Sequence, residues 1–330
     1  MPFRSSLARS AGKLFGVYRQ RDISLRGYKQ TLRSSPPEID VSNVDSIIKS
    51  GSYKYLTWIA NGSFDLNSGP FVVNYLLVGG GGEGASQNST GGDGSPSTAL
   101  GLIAYGGGGG SSYNGTDGSP GGSGGGGGGN GGAGGDGNKV TGTPTAIAAP
   151  LSPQGNPGGS VAAPATYGGS GGGGAGAAGS DAPNDSTHRA GAIGAVAMSG
   201  DANFPTSYGT AGPTPGRWFA AGGGGSGGNP NGSGPAQPVG GGGKGANQDP
   251  NGPGTEGTVN TGSGGGGYTG NTGGGSGGGG AGGFLSSSMT LAVGPYPITI
   301  GAGGSGGGNG DGGDGAIGIF VLRVPAGTII

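Results

Sequence analysis

Asn74-Tyr75-Leu76-Leu77-Val78-Gly79-Gly80-Gly81-Gly82 is the point at which this chain changes its chemistry. Its first five residues close a run, 71–78, rich in β-branched and aromatic side chains, the composition of a strand. Its last four carry no side chain, and glycine runs return at 106–110, 124–129, 171–174, 222–225, 240–243, 264–267 and 277–280. Upstream, Tyr53, Tyr55, Thr57 and Ile59 alternate with Lys54, Leu56 and Trp58, and Asn61-Gly62-Ser63 supplies a turn signal. Residues 38–78 therefore read as a β-strand segment. Downstream of a glycine body at 79–283, strand-type runs at 284–293, 296–300 and 317–324 make a C-terminal β-strand segment, 284–330, that closes the framework.

Glycine supplies 97 of the 330 residues, about four times its ordinary share of ~7%. The hydrophobic fraction, 30%, is too small for conventional cores over this length. Three states of a glycine-rich chain compete. Collagen needs Gly at every third position, which the runs at 106–110 and 124–129 break. A flexible linker fits the composition but not the strand blocks at both ends. In polyglycine II, extended three-residue-per-turn helices pair their free N–H and C=O groups with neighbouring helices, an approach only Gly allows. The residues favour this third state over disorder. The expected class is mostly β/irregular: a short β-strand framework from both ends of the chain bracketing a polyglycine II helix bundle. Interruptions such as Ser123 and Ala175 are expected to face outward or sit at the bundle edge.

Residues 1–37 precede this as a basic N-terminal arm, extended or in a short helix. Eight basic side chains (Arg4, Arg9, Lys13, Arg19, Arg21, Arg26, Lys29, Arg33) meet one acid, Asp22, and leave 7 basic and 15 acidic residues for the rest. Phe3, Leu7, Ala11, Leu14 and Phe15 recur at helical spacing, with Arg4, Arg9 and Lys13 largely on another face. Ser34-Ser35-Pro36-Pro37 ends the pattern. Three readings stand: a solvated basic tail, a mitochondrial transit peptide, or an arm that anchors the chain to a partner through Phe3, Arg4, Leu7, Arg9, Lys13, Leu14 and Phe15. No run is long enough to insert in a membrane.

The block 74–82, the run 277–283 followed by Phe284-Leu285, Tyr296-Pro297-Ile298-Thr299-Ile300-Gly301-Ala302-Gly303-Gly304, and Gly315-Ala316-Ile317-Gly318-Ile319-Phe320-Val321-Leu322-Arg323 together resemble the glycine-rich domain of phage and algal-virus structural proteins. The family reads as a YLVVGGGGGG strand, GGGGAGG, a YTVTVGAGG strand and a closing GSGIVIIRY strand; 257–266 is similar to its GTANTGGGGG. The resemblance covers about residues 70–325. Here the second and third motifs come late, just before the closing strand, so the family's strand pairing does not transfer. The body resembles more loosely the polyglycine-sandwich adhesins of phage tail-fibre tips, whose loops meet a bacterial surface receptor. The resemblance implies a structural, non-enzymatic virion protein, most simply a tail fibre or adhesin. Its arm would contact other virion proteins, and its loops a host cell-surface receptor. It also implies a homo-oligomer on an extracellular particle. The alternatives are a capsid, head-fibre or neck decoration protein and, in another class, a cellular glycine-rich extracellular or wall protein.

Chemistry-bearing motifs are sparse. G-x-G-x-x-G patterns match by chance in so much glycine, and Lys244 is followed by Gly rather than the Ser or Thr of a phosphate loop. The one imidazole, His188, stands near Asp181, Asp185 and Ser186 in what reads as a polar loop, without the rigid geometry that nucleophilic catalysis requires. No catalytic residue and no cofactor is expected. Asp136, Asp311 and Asp314 are weak calcium candidates in glycine turns, where a turn-forming role is commoner. Basic residues are nearly absent after position 54, which disfavours nucleic acid. Aromatic and polar residues on loops suit adhesion, which makes Tyr113, Asn114, His188, Tyr208 and Tyr268 the candidates for receptor-facing positions. Arg217-Trp218-Phe219 reads instead as an anchor packed between rods.

Overall fold

The computed structural model describes residues 36–143, 145–147, 153–162, 168–182, 189–227, 236–247, 252–270, 274–306 and 312–330. The anchoring-arm candidates, His188 and Asp311 lie outside these residues.

Two sheets are built from both ends of the chain. Strands β1 (Ile39–Ser42), β2 (Ser46–Ser50), β3 (Tyr53–Trp58), β4 (Gly62–Leu66) and β5 (Phe71–Val78) come from the first end; β10 (Phe284–Leu291), β11 (Gly294–Ile298) and β12 (Ile319–Pro325) come from the last. A five-stranded sheet runs β10-β5-β12-β3-β2 and a three-stranded sheet β1-β4-β11, every pairing antiparallel. The expected turn at 61–63 is displaced: Gly62 and Ser63 already belong to β4, because Phe64 and Leu66 are drawn into the core. Between 97 and 219 lie two small two-stranded antiparallel sheets, β6 (Ser97–Ala99) with β7 (Leu102–Ala104) and β8 (Ala195–Val196) with β9 (Trp218–Phe219).

Alternation along the strands explains why the five-stranded sheet carries continuous apolar runs. Val73, Tyr75 and Leu77 of β5 and Phe320, Leu322 and Val324 of β12 face the small sheet, meeting Ile39, Phe64, Leu66 and Ile298. Trp58 lies between Phe320 and Phe64, with ring centroids 5.4 and 5.9 Å away, and Phe64 stacks on Tyr296 at 4.9 Å. Leu76, Val78, Ile319 and Val321 point to the other face and pack with Phe204, Tyr208 and Phe219. A strand buried on both faces has no polar side to alternate.

The glycine segments continue the sheet without a break in register. Phe284 pairs with Val78 at the end of the β10–β5 ladder. Gly79 N–H then bonds Gly283 O, Gly82 bonds Gly280, and Ala85 bonds Gly277. On the other side Ile319 pairs with Val78, after which Gly81 bonds Ala316 and Gly84 bonds Gly313. The sheet bonds consecutive neighbours on two sides only; the glycine segments turn successive N–H groups to three. Along 276–283, donors go in rotation to 262–268, 105–111 and 170–173. The same segment's carbonyls accept from 79–85, 123–126 and 223–226, so six segments surround it.

Such proximity leaves no room for a side chain. A Cβ on Gly279 would lie 2.1 Å from Gly82 O, and one on Gly265 1.7 Å from Gly313 O. Where a larger residue enters a segment, its hydroxyl is absorbed at Ser170 and Ser226, while that of Ser123 is buried without a partner among the described residues. Ser170 Oγ donates toward Gly127 O (3.0 Å) and Gly159 O (2.5 Å), and Ser226 Oγ donates to Tyr268 O at 2.6 Å. Ser123 corrects the expectation of outward-facing interruptions, since it is fully buried; Ala175 is half-buried. Trp218 and Phe219 are buried as anticipated, but Phe219 packs beneath the five-stranded sheet as well as at a segment end.

Gly279→Ala forces a Cβ against an immobile carbonyl and should destabilise the protein by about 1–3 kcal/mol or more. Gly327→Ala, at a position with nothing within 4 Å of the added carbon, should stay within about 0.5 kcal/mol. Thermal unfolding of the two variants beside the parent checks the contrast.

Candidate functional site

Because β5 runs into 79–85 and 276–283 runs back into β10, these segments have one end at the sheets and one far from them. The far ends assemble into a single surface. Tyr113 N–H bonds Gln87 O at 3.3 Å, Gly129 N–H bonds Gly275 O at 2.9 Å, and Ser276 Oγ donates to Ser86 O at 2.8 Å. Thr269 Oγ1 reaches both Gly227 O and Ala246 O at 3.2 Å. The Tyr113 ring rests on the backbone of Gly274, where a Cβ would sit 2.5 Å from Cγ; the Gln87 amide covers Gly270 in the same way at 2.1 Å. A glycine on one loop thus seats a side chain of another.

Side chains with varied chemistry are exposed here. Asn88, Thr90, Asn114, Thr116, Asp117 and Asn130 are exposed, while Tyr113 and Tyr268 are half-buried. Asp117 Oδ1 accepts from Ala133 N–H at 2.9 Å, which fixes the loop that presents Tyr113 and Asn114. No lysine or arginine occurs in 86–90, 112–117 or 129–131. Short hydroxyl- and amide-bearing loops on a rigid base can make directional polar contacts to a ligand at little ordering cost.

Tyr208 is corrected. It is buried, packs in the core beneath the five-stranded sheet, and its hydroxyl bonds Asp45 and, at 3.0 Å, Ser46 Oγ. Arg217 Nε donates to Tyr208 O at 2.8 Å, so the loop is closed onto the sheet rather than offered to a partner. Of the calcium candidates, Asp136 and Asp314 fall among the described residues. Asp136 lies 3.6 Å from Lys139, Asp314 is exposed, and no group of three metal-type ligands occurs among the described residues.

A second polar cluster escaped the sequence. Asp201 accepts from the Tyr55 hydroxyl at 2.6 Å, from Asn203 N–H at 3.0 Å and from Arg323. Arg323 also donates to Asn74 Oδ1 at 2.9 Å and lies 4.4 Å from the Tyr53 ring centroid. One signal was available: Arg323 is the single charge inside an otherwise apolar strand. Burial alone would raise the Asp201 carboxyl, but hydrogen bonds from Tyr55, Asn203 and Arg323, with the guanidinium charge, hold it below the usual carboxylate value. Burial first, then the bond to Asp201, pushes the Tyr55 hydroxyl well above its ordinary value. This cluster ties the loop at 201–204 to the sheet and contains no group poised to exchange a proton near neutrality.

Two depressions beside Phe284, of about 230 and 410 Å³, are lined by Pro153, Gln154, Asn156, Tyr75, Leu102 and Leu285 among others, with no carboxylate, imidazole or amine. Among the described residues no helix is long and apolar enough to cross a membrane. Comparison with family models, curated proteins and solved structures returned no match for this chain.

A carboxyl with a depressed folded value contributes stability above pH ~4 that is lost as pH falls through the folded value. Asp201→Asn should therefore lower Tm at pH 7, and its deficit should shrink as both proteins are acidified below about pH 4. A hydroxyl with a raised value works at the other end: the unfolded chain ionises first, so stability declines above about pH 10. Tyr55→Phe should flatten that alkaline arm. Thermal melts across pH read both.

Proposed function

We propose that the glycine segments form a polyglycine II bundle that serves as the rigid scaffold of a virion structural protein, a tail fibre or adhesin. The observation that carries the scaffold is the rotation of successive N–H groups among three neighbours, the bonding expected of an extended helix with three residues per turn. At ~3.1 Å per residue such a helix spans about 25 Å over 276–283. The rod ends away from the sheets gather loops onto one surface, which supports presentation to a receptor as the role. The chain works by binding and not by a reaction. Its basic arm, through Phe3, Arg4, Leu7, Arg9, Lys13, Leu14 and Phe15, docks the protein on other virion proteins. Tyr113 and Asn114 lead the contact with a host cell-surface receptor, with Tyr268 beside them.

Purified protein should bind host cells and block infection. The double variant Tyr113→Ala, Asn114→Ala should lose most of that binding while melting at the parent temperature. Deleting 1–33 should abolish incorporation into particles and leave the body folded. Particles that incorporate the protein but infect equally well with the double variant would make it a decoration component instead.

A further inference from the structure

The two sheets end in four edges, β10, β2, β1 and β11, and three of them are guarded. Strand β11 carries Pro295 and Pro297. Strand β1 is four residues long and bonded along its outside by the C-terminus, with Ile39 N–H to Ile329 O at 2.9 Å and Ile329 N–H to Pro37 O at 2.8 Å. Strand β2 is five residues long and carries Lys49. By contrast β10, Phe-Leu-Ser-Ser-Ser-Met-Thr-Leu, is eight residues long with neither a charge nor a proline. Exposed edges of that kind template pairing with another strand, and natural chains usually block them.

The geometry of the edge is determined. Phe284 N–H turns away from β5 to bond Gln154 O at 2.9 Å. By the two-residue alternation of an antiparallel ladder, Ser286, Ser288 and Thr290 also turn their N–H and C=O groups outward. No described residue bonds those outward groups, and Ser287, Ser288 and Thr290 are exposed. A strand is the occupant that satisfies such a row, and β10 is complementary to itself. Across a two-fold axis at Ser288, the outward groups of 286, 288 and 290 meet those of 290, 288 and 286, about six backbone hydrogen bonds in all. Facing side chains are then Ser286 with Thr290 and Ser288 with its copy on one side of the sheet, Leu285 with Leu291 and Ser287 with Met289 on the other. None is charged, and hydroxyl and aliphatic pairs of this kind are favourable across strands.

We infer that two copies of this chain join by antiparallel pairing of their β10 edges, which makes one continuous ten-stranded sheet with a glycine bundle at each side. The inference stands apart from the adhesive role, since it concerns the sheet and not the loops.

Sedimentation of the full chain over a range of concentrations tests it. The expected species is a reversible dimer. Ser288→Pro removes an outward donor and no internal bond, so it should weaken the dimer at least about tenfold with little change in Tm. The protein has no cysteine, which makes Ser288→Cys a clean reporter. Oxidation should link two chains through position 288, whereas Val259→Cys, on an exposed loop, should give no comparable dimer. A parent that stays monomeric throughout overturns the inference, including the case in which β10 pairs only with a different protein. So does a dimer that Ser288→Pro leaves intact or that Ser288→Cys fails to cross-link.

Discussion

Everything in this molecule depends on backbones lying closer together than a Cβ permits. Residues 79–84 illustrate it: each glycine would drive an added carbon to within 2.2 Å of a neighbouring carbonyl oxygen, and the one larger residue, Glu83, stays buried with its carboxylate accepting from Gly92 N–H. This closeness removes the usual source of cohesion, the interdigitation of apolar side chains. Cohesion comes instead from a three-dimensional net of N–H to C=O bonds, in which almost every peptide group of 276–283 both donates and accepts.

Such a net is expensive to order. Fixing one residue's backbone costs about 1–2 kcal/mol, and glycine costs more than any other, while a hydrogen bond returns a net ~0.5–1.5 kcal/mol. Glycine segments alone are therefore not expected to hold their order, and a conventional core must help to fix them. The two-sheet core with Trp58, Phe64 and Phe320 at its centre does so from one end. Because β5, β10 and β12 run directly into 79–85, 276–283 and 312–318, the register fixed by apolar side chains is passed on to segments that have none.

That transfer marks what could be read from the sequence. The junction at Val78-Gly79 and the strand runs at both termini were legible, since side-chain type decides them. The depth of Ser123 was not, because a serine in a glycine run carries no signal of whether its side chain faces a neighbouring segment or water, and Ser123 is buried with its hydroxyl unbonded among the described residues. Nor was Tyr208: an aromatic in a Pro- and Gly-rich stretch looks like a loop residue until Asp45 and Ser46, more than 160 positions away, supply its partners. The bond between Asp201 and Arg323 spans a comparable distance along the chain. Of the loop candidates, Tyr113 and Asn114 lie on the surface far from the sheets, where the gathering of loops depends on segment length and not on any local motif.

The rotation of bonds among three neighbours also sets a unit of change for this chain's evolution. Adding or removing one residue inside 276–283 would turn every later donor toward the wrong partner, and only steps of three would restore the pattern. Even those would need matching changes in the six segments around it. The loops at the far ends carry no such arithmetic. A lineage built on this plan would keep its segments nearly fixed in length and vary its turns freely, so that the turns can change in sequence while the segments stay untouched.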